Sequence, residues 1–305
     1  MAFVACSSSP TSPLEVSQLS LGAAYDVFVR GGTAYVSNNE GIAVLDLSDI
    51  RNPRRTAQIS ERSSGGSVAG FHVSGDTLFA YGDRFSMYTL GDDPDPQIIA
   101  SFNGRGFVSG AGTQGHMAFL AFLQGGLEAV DLQDAANPTS LGYAPSMGQV
   151  NDMVVHDRFV YVANSSIGLE VFDVGDPSDP TRVGVVAGTS GAWDIHIVED
   201  RLYLGCHMYG VKILDISDPS DPTVVGSFDN GGETYGVFSV GDRLYTADLQ
   251  EGVEVLDISI PSAPSLVMRD RNYRPHDLFS DGQYLYLADQ DQHFVVLPLE
   301  LSEVS

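Results

Sequence analysis

The chain has 305 residues, 43% of them apolar, and its 40 acidic and 15 basic residues give a formal charge of −25. This length and apolar content allow a large core in one or two domains. The acidic surface argues against nucleic acid as a partner, because it repels phosphate groups. No run approaches the ~18 consecutive apolar residues that a membrane span requires, and two cysteines do not make a disulfide framework.

Residues 1–13 (MAFVACSSSPTSP) are predicted to be a disordered tether or the remnant of a signal. The stretch FVAC (3–6) resembles the end of a bacterial lipoprotein signal, in which a small residue precedes a lipidated cysteine, and a Ser/Pro spacer follows it. Only five residues precede Cys6, which is too few for a complete signal. The resemblance implies an extracytoplasmic protein (cell surface, periplasm or secreted) whose only membrane contact is a lipid on Cys6. The alternative is an ordinary disordered N-terminus.

An apolar run followed by a turn recurs seven times along the chain. The residues that end the run are Asp46, Thr89, Asp131, Asp173, Asp215, Asp257 and Pro298, spaced by 41 to 43 residues. In the first six copies a proline follows seven residues later. A fixed period of this size indicates a repeat architecture.

Each repeat contains four short strand-like pieces separated by Gly, Asp and Pro turns. In one copy they are TRVGVVA (181–187), AWDIHIV (192–198), RLYLGC (201–206) and GVKILDIS (210–217). Several are apolar at consecutive positions, which is typical of strands buried on both faces, and no helix period of useful length occurs. The pattern predicts an all-β, seven-bladed propeller of four-stranded antiparallel blades over residues 14–299, followed by a tail at 300–305.

The stretches GLEVFDVGDPSDP (168–180) and GVKILDISDPSDP (210–222) resemble LVIVD repeats, and RLYLGC and RLYTAD (243–248) resemble a strand of the related YVTN propellers. The resemblance spans residues 14–299 and implies a surface or secreted propeller, with no catalytic residues to carry over. It also implies that AWDIHIV is an innermost strand that lines the channel. The chain then starts with an outer strand at 14–21, which completes the blade of residues 276–299 and closes the ring.

The segment LDISDPSDP (214–222) contains Asp215, Asp218 and Asp221 at a spacing of three, as in a calcium loop or a pair of turns. In other copies the first of these positions becomes Thr89 and the third becomes Ala263, so the carboxylates do not persist. What persists is the proline and residues that favour Asx-type turns. We therefore interpret the stretch as turn chemistry.

Aligning the repeats brings two adjacent columns to one face of the propeller, at the start of the inner strand. One column holds Asp26, Gly70, Gly110, Asp152, Asp194, Gly236 and Asp277, and the preceding residues are Tyr25, Ala69, Ser109, Asn151, Trp193, Tyr235 and His276. The predicted ligand-binding residues are Tyr25, Asp26, Asp152, Trp193, Asp194, Tyr235, Arg274, His276 and Asp277. The structural alternative for the aspartates is that they accept backbone N–H bonds from their own loop or from a neighbouring blade.

Three groups that break the repeat are secondary candidates: a nucleophile group of Asp194, Cys206 and His207, an arginine group of Arg269, Arg271 and Arg274, and a metal group of Asp289, Asp291 and His293. The nucleophile group would need an imidazole to activate the thiol, whereas a buried cysteine usually serves as a small packing residue. The arginine group would bind a carboxylate or phosphate, or neutralise acids across blade seven. The metal group resembles the start of a calcium loop without its glycine and distal glutamate.

We expect a monomeric, non-catalytic binding module that takes a protein or a small polar ligand on the channel-mouth face. The alternative is a lactonase-like hydrolase or a lyase with its active site at the same mouth, with calcium as the one candidate cofactor. A cluster of acids with raised pKa values around one pocket would favour the enzyme. A flat, aromatic-rimmed surface without such a cluster would favour the module.

Overall fold

The computed structural model describes residues 15–60, 68–90, 96–229, 231–291 and 293–299. Within these ranges 28 strands form seven four-stranded antiparallel sheets, and the inner strands of successive sheets pack side by side around a central channel. The all-β, seven-bladed prediction is confirmed. In the same ranges there is no helix long and apolar enough to cross a membrane. The predicted tether (1–13) and tail (300–305) lie outside the described residues.

The blades are numbered in chain order, and each is given from its inner to its outer strand. Blade 1 contains β2 (Ala24–Arg30), β3 (Thr33–Asn38), β4 (Gly41–Asp46) and β5 (Arg54–Ile59). Blade 2 contains β6 (Val68–Ser74), β7 (Thr77–Gly82), β8 (Phe85–Thr89) and β9 (Ile98–Phe102). Blade 3 contains β10 (Val108–Gln114), β11 (Met117–Phe122), β12 (Gly126–Asp131) and β13 (Thr139–Pro145). Blade 4 contains β14 (Val150–His156), β15 (Phe159–Asn164), β16 (Gly168–Asp173) and β17 (Thr181–Val185). Blade 5 contains β18 (Asp194–Val198), β19 (Arg201–Gly205), β20 (Val211–Asp215) and β21 (Thr223–Phe228). Blade 6 contains β22 (Thr234–Val240), β23 (Arg243–Asp248), β24 (Gly252–Asp257) and β25 (Ser265–Asp270). Blade 7 contains β26 (Pro275–Ser280), β27 (Tyr284–Asp289), β28 (His293–Pro298) and, from the start of the chain, β1 (Ser17–Ser20).

The hydrophobic core lies between the blades. All six residues of β11 are buried, whereas four of the five residues of the outer strand β17 are exposed. The central strands are covered on both faces by neighbouring blades, which explains their runs of consecutive apolar residues. One core cluster, for example, joins Phe119 of blade 3 to Val160 and Phe172 of blade 4.

The N-terminal strand closes the ring. β1 pairs antiparallel with β28, with Ser17 opposite Val296 and Ser20 opposite His293. The Ser17 hydroxyl also donates to the Ile50 carbonyl at 2.6 Å, which ties β1 to blade 1. The predicted closure is confirmed, with a strand of residues 17–20 instead of 14–21.

The repeated DPSDP segment forms two consecutive side-chain turns. In blade 5, Asp215 Oδ1 accepts the N–H of Ser217 at 2.9 Å, and Asp218 Oδ1 accepts the N–H of Ser220 at 3.1 Å. The first turn also forms at Asp46, Asp131, Asp173 and Asp257. The carboxylates bind their own backbone, as the turn interpretation predicts.

Candidate functional site

A β-bulge at the start of the inner strand lets two consecutive residues face the channel. In blade 1, Ala24 pairs with Asn38 and Asp26 pairs with Ser37, so Tyr25 between them has no paired residue on β3. Equivalent register shifts pass over Ala69, Ser109, Asn151, Tyr235 and His276. Regular alternation would turn one of two neighbouring side chains away, but a bulge re-aims them. Tyr25 and Asp26 therefore both line the channel.

The channel mouth on this face contains a cavity of about 280 Å³, which we call the mouth cavity. Every predicted ligand-binding residue except Arg274 lines it, together with His72, Tyr81 and Met153 among others. Arg274 lies outside with its side chain exposed, and its Nε donates to the Leu249 carbonyl at 3.4 Å. The face is therefore concave at its centre. Ligand binding by these residues stays a prediction.

Each aspartate of the mouth cavity bridges two neighbouring inner strands. One of its oxygens accepts a backbone N–H of the next blade: Phe71 to Asp26 at 2.9 Å, Ile195 to Asp152 at 3.1 Å, Val237 to Asp194 at 2.7 Å and Val27 to Asp277 at 3.1 Å. The last of these bonds crosses the junction between the last and first blades. The structural alternative is confirmed: the aspartates hold adjacent blades together.

The four carboxyl groups are also arranged as two hydrogen-bonded pairs, Asp26 with Asp277 and Asp152 with Asp194. Burial raises the pKa of Asp26 and of Asp194 to about 6. Burial, reinforced by the neighbouring carboxylates, raises the pKa of Asp152 and of Asp277 well above the usual range. A hydrogen bond between two carboxyl groups requires a proton on one of them. The cavity thus contains two proton-sharing carboxyl pairs.

An aromatic arc forms one side of the mouth. The rings of Trp193 and Tyr235 lie 4.8 Å apart, those of Tyr235 and His276 5.0 Å, and those of His276 and Tyr25 5.8 Å. His207 extends the arc, because its ring stacks on Trp193 at 5.5 Å and its Nε2 lies 3.0 Å from the Tyr235 hydroxyl. The opposite side carries the small or polar residues Ala69, Ser109 and Asn151. The mouth is therefore asymmetric.

Tyr81 is a cavity residue that the sequence analysis missed. The residues paired with the aspartate column across the inner hairpin are Ser37, Tyr81, Ala121, Ala163, Gly205, Ala247 and Ala288. Tyr81 is the one large member of this column, and it stands opposite Gly70. Burial and the nearby carboxylates raise the pKa of Tyr81 well above 10, so the phenol is neutral. The sequence signal was a bulky residue in a column of small ones.

The structure does not bring the nucleophile group together. Cys206 is fully buried in the core between blades 4 and 5, where its thiol faces the Leu204 carbonyl at 3.7 Å. Burial raises the pKa of this thiol to about 12, which disfavours the thiolate that a nucleophile requires. His207 has a left-handed backbone (φ 44°), and its imidazole lies in the aromatic arc. Asp194 belongs to a carboxyl pair.

The arginine group mainly neutralises acids of blade 6. Arg269 forms ion pairs with Glu251 at 2.5 Å and with the buried Glu254 at 2.6 Å, and Arg271 also pairs with Glu251. Only Arg274 faces blade 7, at 3.9 Å from Asp291. The expectation that these arginines neutralise acids across blade seven is corrected for Arg269 and Arg271, because β25 lies beside the third strand of blade 6.

The metal group forms a hairpin turn. Asp289 is buried, and it accepts the N–H of Asp291 at 2.8 Å and the N–H of Arg274 at 2.6 Å. His293 begins β28 and pairs with Asp289 across the hairpin. In the described part of the chain, no group of three or more His, Cys, Asp or Glu side chains is arranged to hold a metal ion. Calcium binding here stays a prediction.

The sequence matches a family model described as LVIVD repeat at residues 21–55, 147–187, 190–230, 231–270 and 276–298, which is more than half of the chain. The gap between the first two matched segments contains every strand of blades 2 and 3, including Tyr81, Ala69 and Ser109. No curated protein matches the chain.

Solved structures resemble the chain in fold alone. The Myceliophteria thermophila Cps50 (Swd1) β-propeller domain has a TM-score of 0.76 at 12% identity, covering 93% of this chain and 99% of its own. A chain of the mitotic checkpoint complex has a TM-score of 0.75 at 12% identity, covering 98% and 99%. The computationally designed Ika8 protein has a TM-score of 0.67 at 10% identity, covering 91% and 96%.

Proposed function

We propose, because the chain belongs to the LVIVD-repeat family and its seven blades surround the mouth cavity, that it is a non-catalytic binding module for a small organic cation. The observation that carries this proposal is the aromatic arc beside two carboxyl pairs in one cavity. A propeller is a scaffold that hosts many functions, so the ligand class must be argued from the cavity.

The cavity offers negative charge and π-electron faces. A cation is attracted to the face of Trp and Tyr rings, and a carboxyl pair that shares one proton carries one negative charge. Among the described lining residues there is neither lysine nor arginine. Burial lowers the pKa of His72 and of His276, which keeps both imidazoles neutral at pH 7. The cavity therefore favours a cation over a carboxylate or phosphate, and its size suits a small molecule.

Calorimetry of the whole protein with ammonium ions tests this function. We expect butylammonium to bind and 1-butanol, a neutral molecule of similar length, to bind far more weakly. Trp193→Leu should weaken cation binding about tenfold, since it removes the largest ring of the arc. Tyr209→Leu is the matched control: this aromatic residue lies in the same blade, is 51% exposed and does not line the cavity. It should leave the affinity unchanged.

Binding of neither butylammonium nor tetramethylammonium, or equal binding of 1-butanol, would overturn the proposal. The raised pKa values of the carboxyl pairs are what the hydrolase alternative predicts, so simple lactones and esters should be assayed on the same preparation. Turnover that Asp152→Asn abolishes would establish an enzyme, and its loss with a chelator would add calcium. We favour the module because each carboxyl already binds the backbone of a neighbouring blade.

The proposal includes an extracytoplasmic location, with a lipid on Cys6 as the tether. Its support is the resemblance of residues 3–6 to a lipoprotein signal and the Ser/Pro spacer that follows; these residues lie outside the described ranges. Expressed in a bacterium from its natural gene, the protein should enter the membrane fraction, and Cys6→Ser should release it to the soluble fraction. Identical fractionation of the two proteins would contradict the tether.

A further inference from the structure

The Tyr81 phenol lies where blade 2 has Gly70 instead of one of the cavity aspartates. Blades 1, 4, 5 and 7 carry an aspartate at the aligned position, but blade 2 carries Gly70. A β-carbon on Gly70 would lie 2.7 Å from the Tyr81 hydroxyl and 2.9 Å from Asp26 Oδ2. The absence of a side chain at residue 70 therefore gives the phenol its place beside Asp26.

The phenol reaches the cavity on the side that the aromatic arc leaves open. Ala69 and Ser109, the rim residues of blades 2 and 3, are small, and all three side chains line the cavity. The Tyr81 hydroxyl forms no hydrogen bond with another described residue, although hydroxyl groups held inside a protein normally have a partner. The geometry leaves the Tyr81 hydroxyl to form its hydrogen bond with a ligand bound in the cavity.

We infer that Tyr81 selects ammonium ions that carry N–H groups over quaternary ones. The oxygen of the neutral phenol can accept a hydrogen bond from the ligand, because a hydroxyl group has acceptor lone pairs as well as its proton. The ring faces of the arc attract both kinds of cation, because that attraction needs only charge. Only an N–H donor gains the additional bond to Tyr81, so the ligand class is a small primary or secondary amine in its protonated form.

Two features make this selection specific to the chain. The aligned positions of the other six blades hold serine, alanine or glycine, so the repeat does not require a phenol here. Tyr81 also lies in the segment between residues 56 and 146 that the family model does not match. The inference rests on the proposed function and narrows its ligand.

Calorimetry with butylammonium and tetramethylammonium tests the inference on the whole protein. The unmodified protein should bind butylammonium about tenfold more tightly, the usual effect of one hydrogen bond to a charged group. Tyr81→Phe keeps the ring and removes the hydroxyl, so it should weaken butylammonium about tenfold and leave tetramethylammonium unchanged. Tyr161→Phe, which removes a buried hydroxyl that donates to the Pro219 carbonyl away from the cavity, should change neither affinity.

The outcomes distinguish a failure of this inference from a failure of the proposed function. If the unmodified protein binds both cations equally, or if Tyr81→Phe weakens both or neither, the inference is overturned while cation binding stands. If neither cation binds, the proposed function itself is overturned and the inference with it. The preference of the unmodified protein is a readout that needs no variant, and thermal melting verifies that each variant is folded.

Discussion

At the scale of single residues, aspartate has two opposite roles in this protein. On the turns, hydrogen bonds from Ser217 and the nearby Arg201 lower the pKa of Asp215 to about 2. In the mouth cavity, burial raises the pKa of Asp194 to about 6. The Asp215 carboxylate contributes stability above pH 3.8 that is lost as the pH falls through about 2. The Asp194 carboxyl group contributes stability below pH 3.8 that is lost as the pH rises through about 6.

The cavity aspartates therefore predict a pH-dependent effect of Asp194→Asn. The amide can still accept the Val237 N–H but cannot become an anion. At pH 4 the two proteins should have similar free energies of unfolding, since Asp194 is protonated in the folded state. At pH 7.5 the variant should gain on the order of 1 to 3 kcal/mol relative to the unmodified protein. Urea denaturation at constant ionic strength measures the difference.

The comparison of two proteins isolates the carboxyl pair of Asp152 and Asp194. Burial lowers the pKa of His196 to about 4, so His196 costs stability as the pH falls from 6.5. That effect has the opposite direction in the same range, but it is common to both proteins and cancels. A difference in unfolding free energy that stays constant between pH 4 and 7.5 would show that Asp194 is not held in its raised-pKa environment.

At the scale of strands, the bulge and the aspartate act together. The bulge turns the rim residue and the aspartate toward the channel, and the aspartate then binds the inner strand of the next blade. Strand β1 also links two neighbouring blades. It pairs with β28 of blade 7, and its Ser17 hydroxyl donates to the Ile50 carbonyl of blade 1. A ring closed in this way has no free edge at the junction between its ends.

Removal of β1 should loosen the whole ring. A chain that begins at Leu21 lacks the pairing with β28 and exposes the edge of that strand. We expect a lower melting temperature and a broader transition by circular dichroism or calorimetry. A chain that begins at Glu15 is the matched control, because it keeps β1 and the hydrogen bond between Glu15 and the Tyr273 hydroxyl. Equal melting of the two chains would show that β1 is dispensable.

At the scale of the whole molecule, seven similar blades surround an asymmetric mouth. Blades 5, 6, 7 and 1 supply the aromatic arc, and blades 2 and 3 supply small rim residues together with Tyr81. The family model matches segments in all four blades of the arc and leaves blades 2 and 3 unmatched. The regular repeats build the ring and the departures from the repeat shape the cavity, so the ligand should be sought where the repeat is broken.

The number of blades and their four strands could be predicted from the sequence alone, because the 41- to 43-residue period and the runs of consecutive apolar residues are direct consequences of strands packed between equivalent neighbours. Closure by an N-terminal strand was implied by the resemblance to YVTN propellers. The alignment of the repeats also indicated the cavity residues of the two aligned columns, because their equivalent positions in the repeat place them at one end of the channel; it did not indicate Tyr81.

Where those side chains point and what they contact could not be predicted from the sequence, because both depend on how the blades pack together. An alignment of repeats shows which positions are equivalent, but not that a bulge turns Tyr25 and Asp26 to the same side. Nor does it show that Cys206 faces the core while His207 joins the arc, or that Tyr81 fills the space beside Gly70. These outcomes depend on distances between residues that are far apart in the chain or belong to different strands, and those distances are set when the blades pack into a ring.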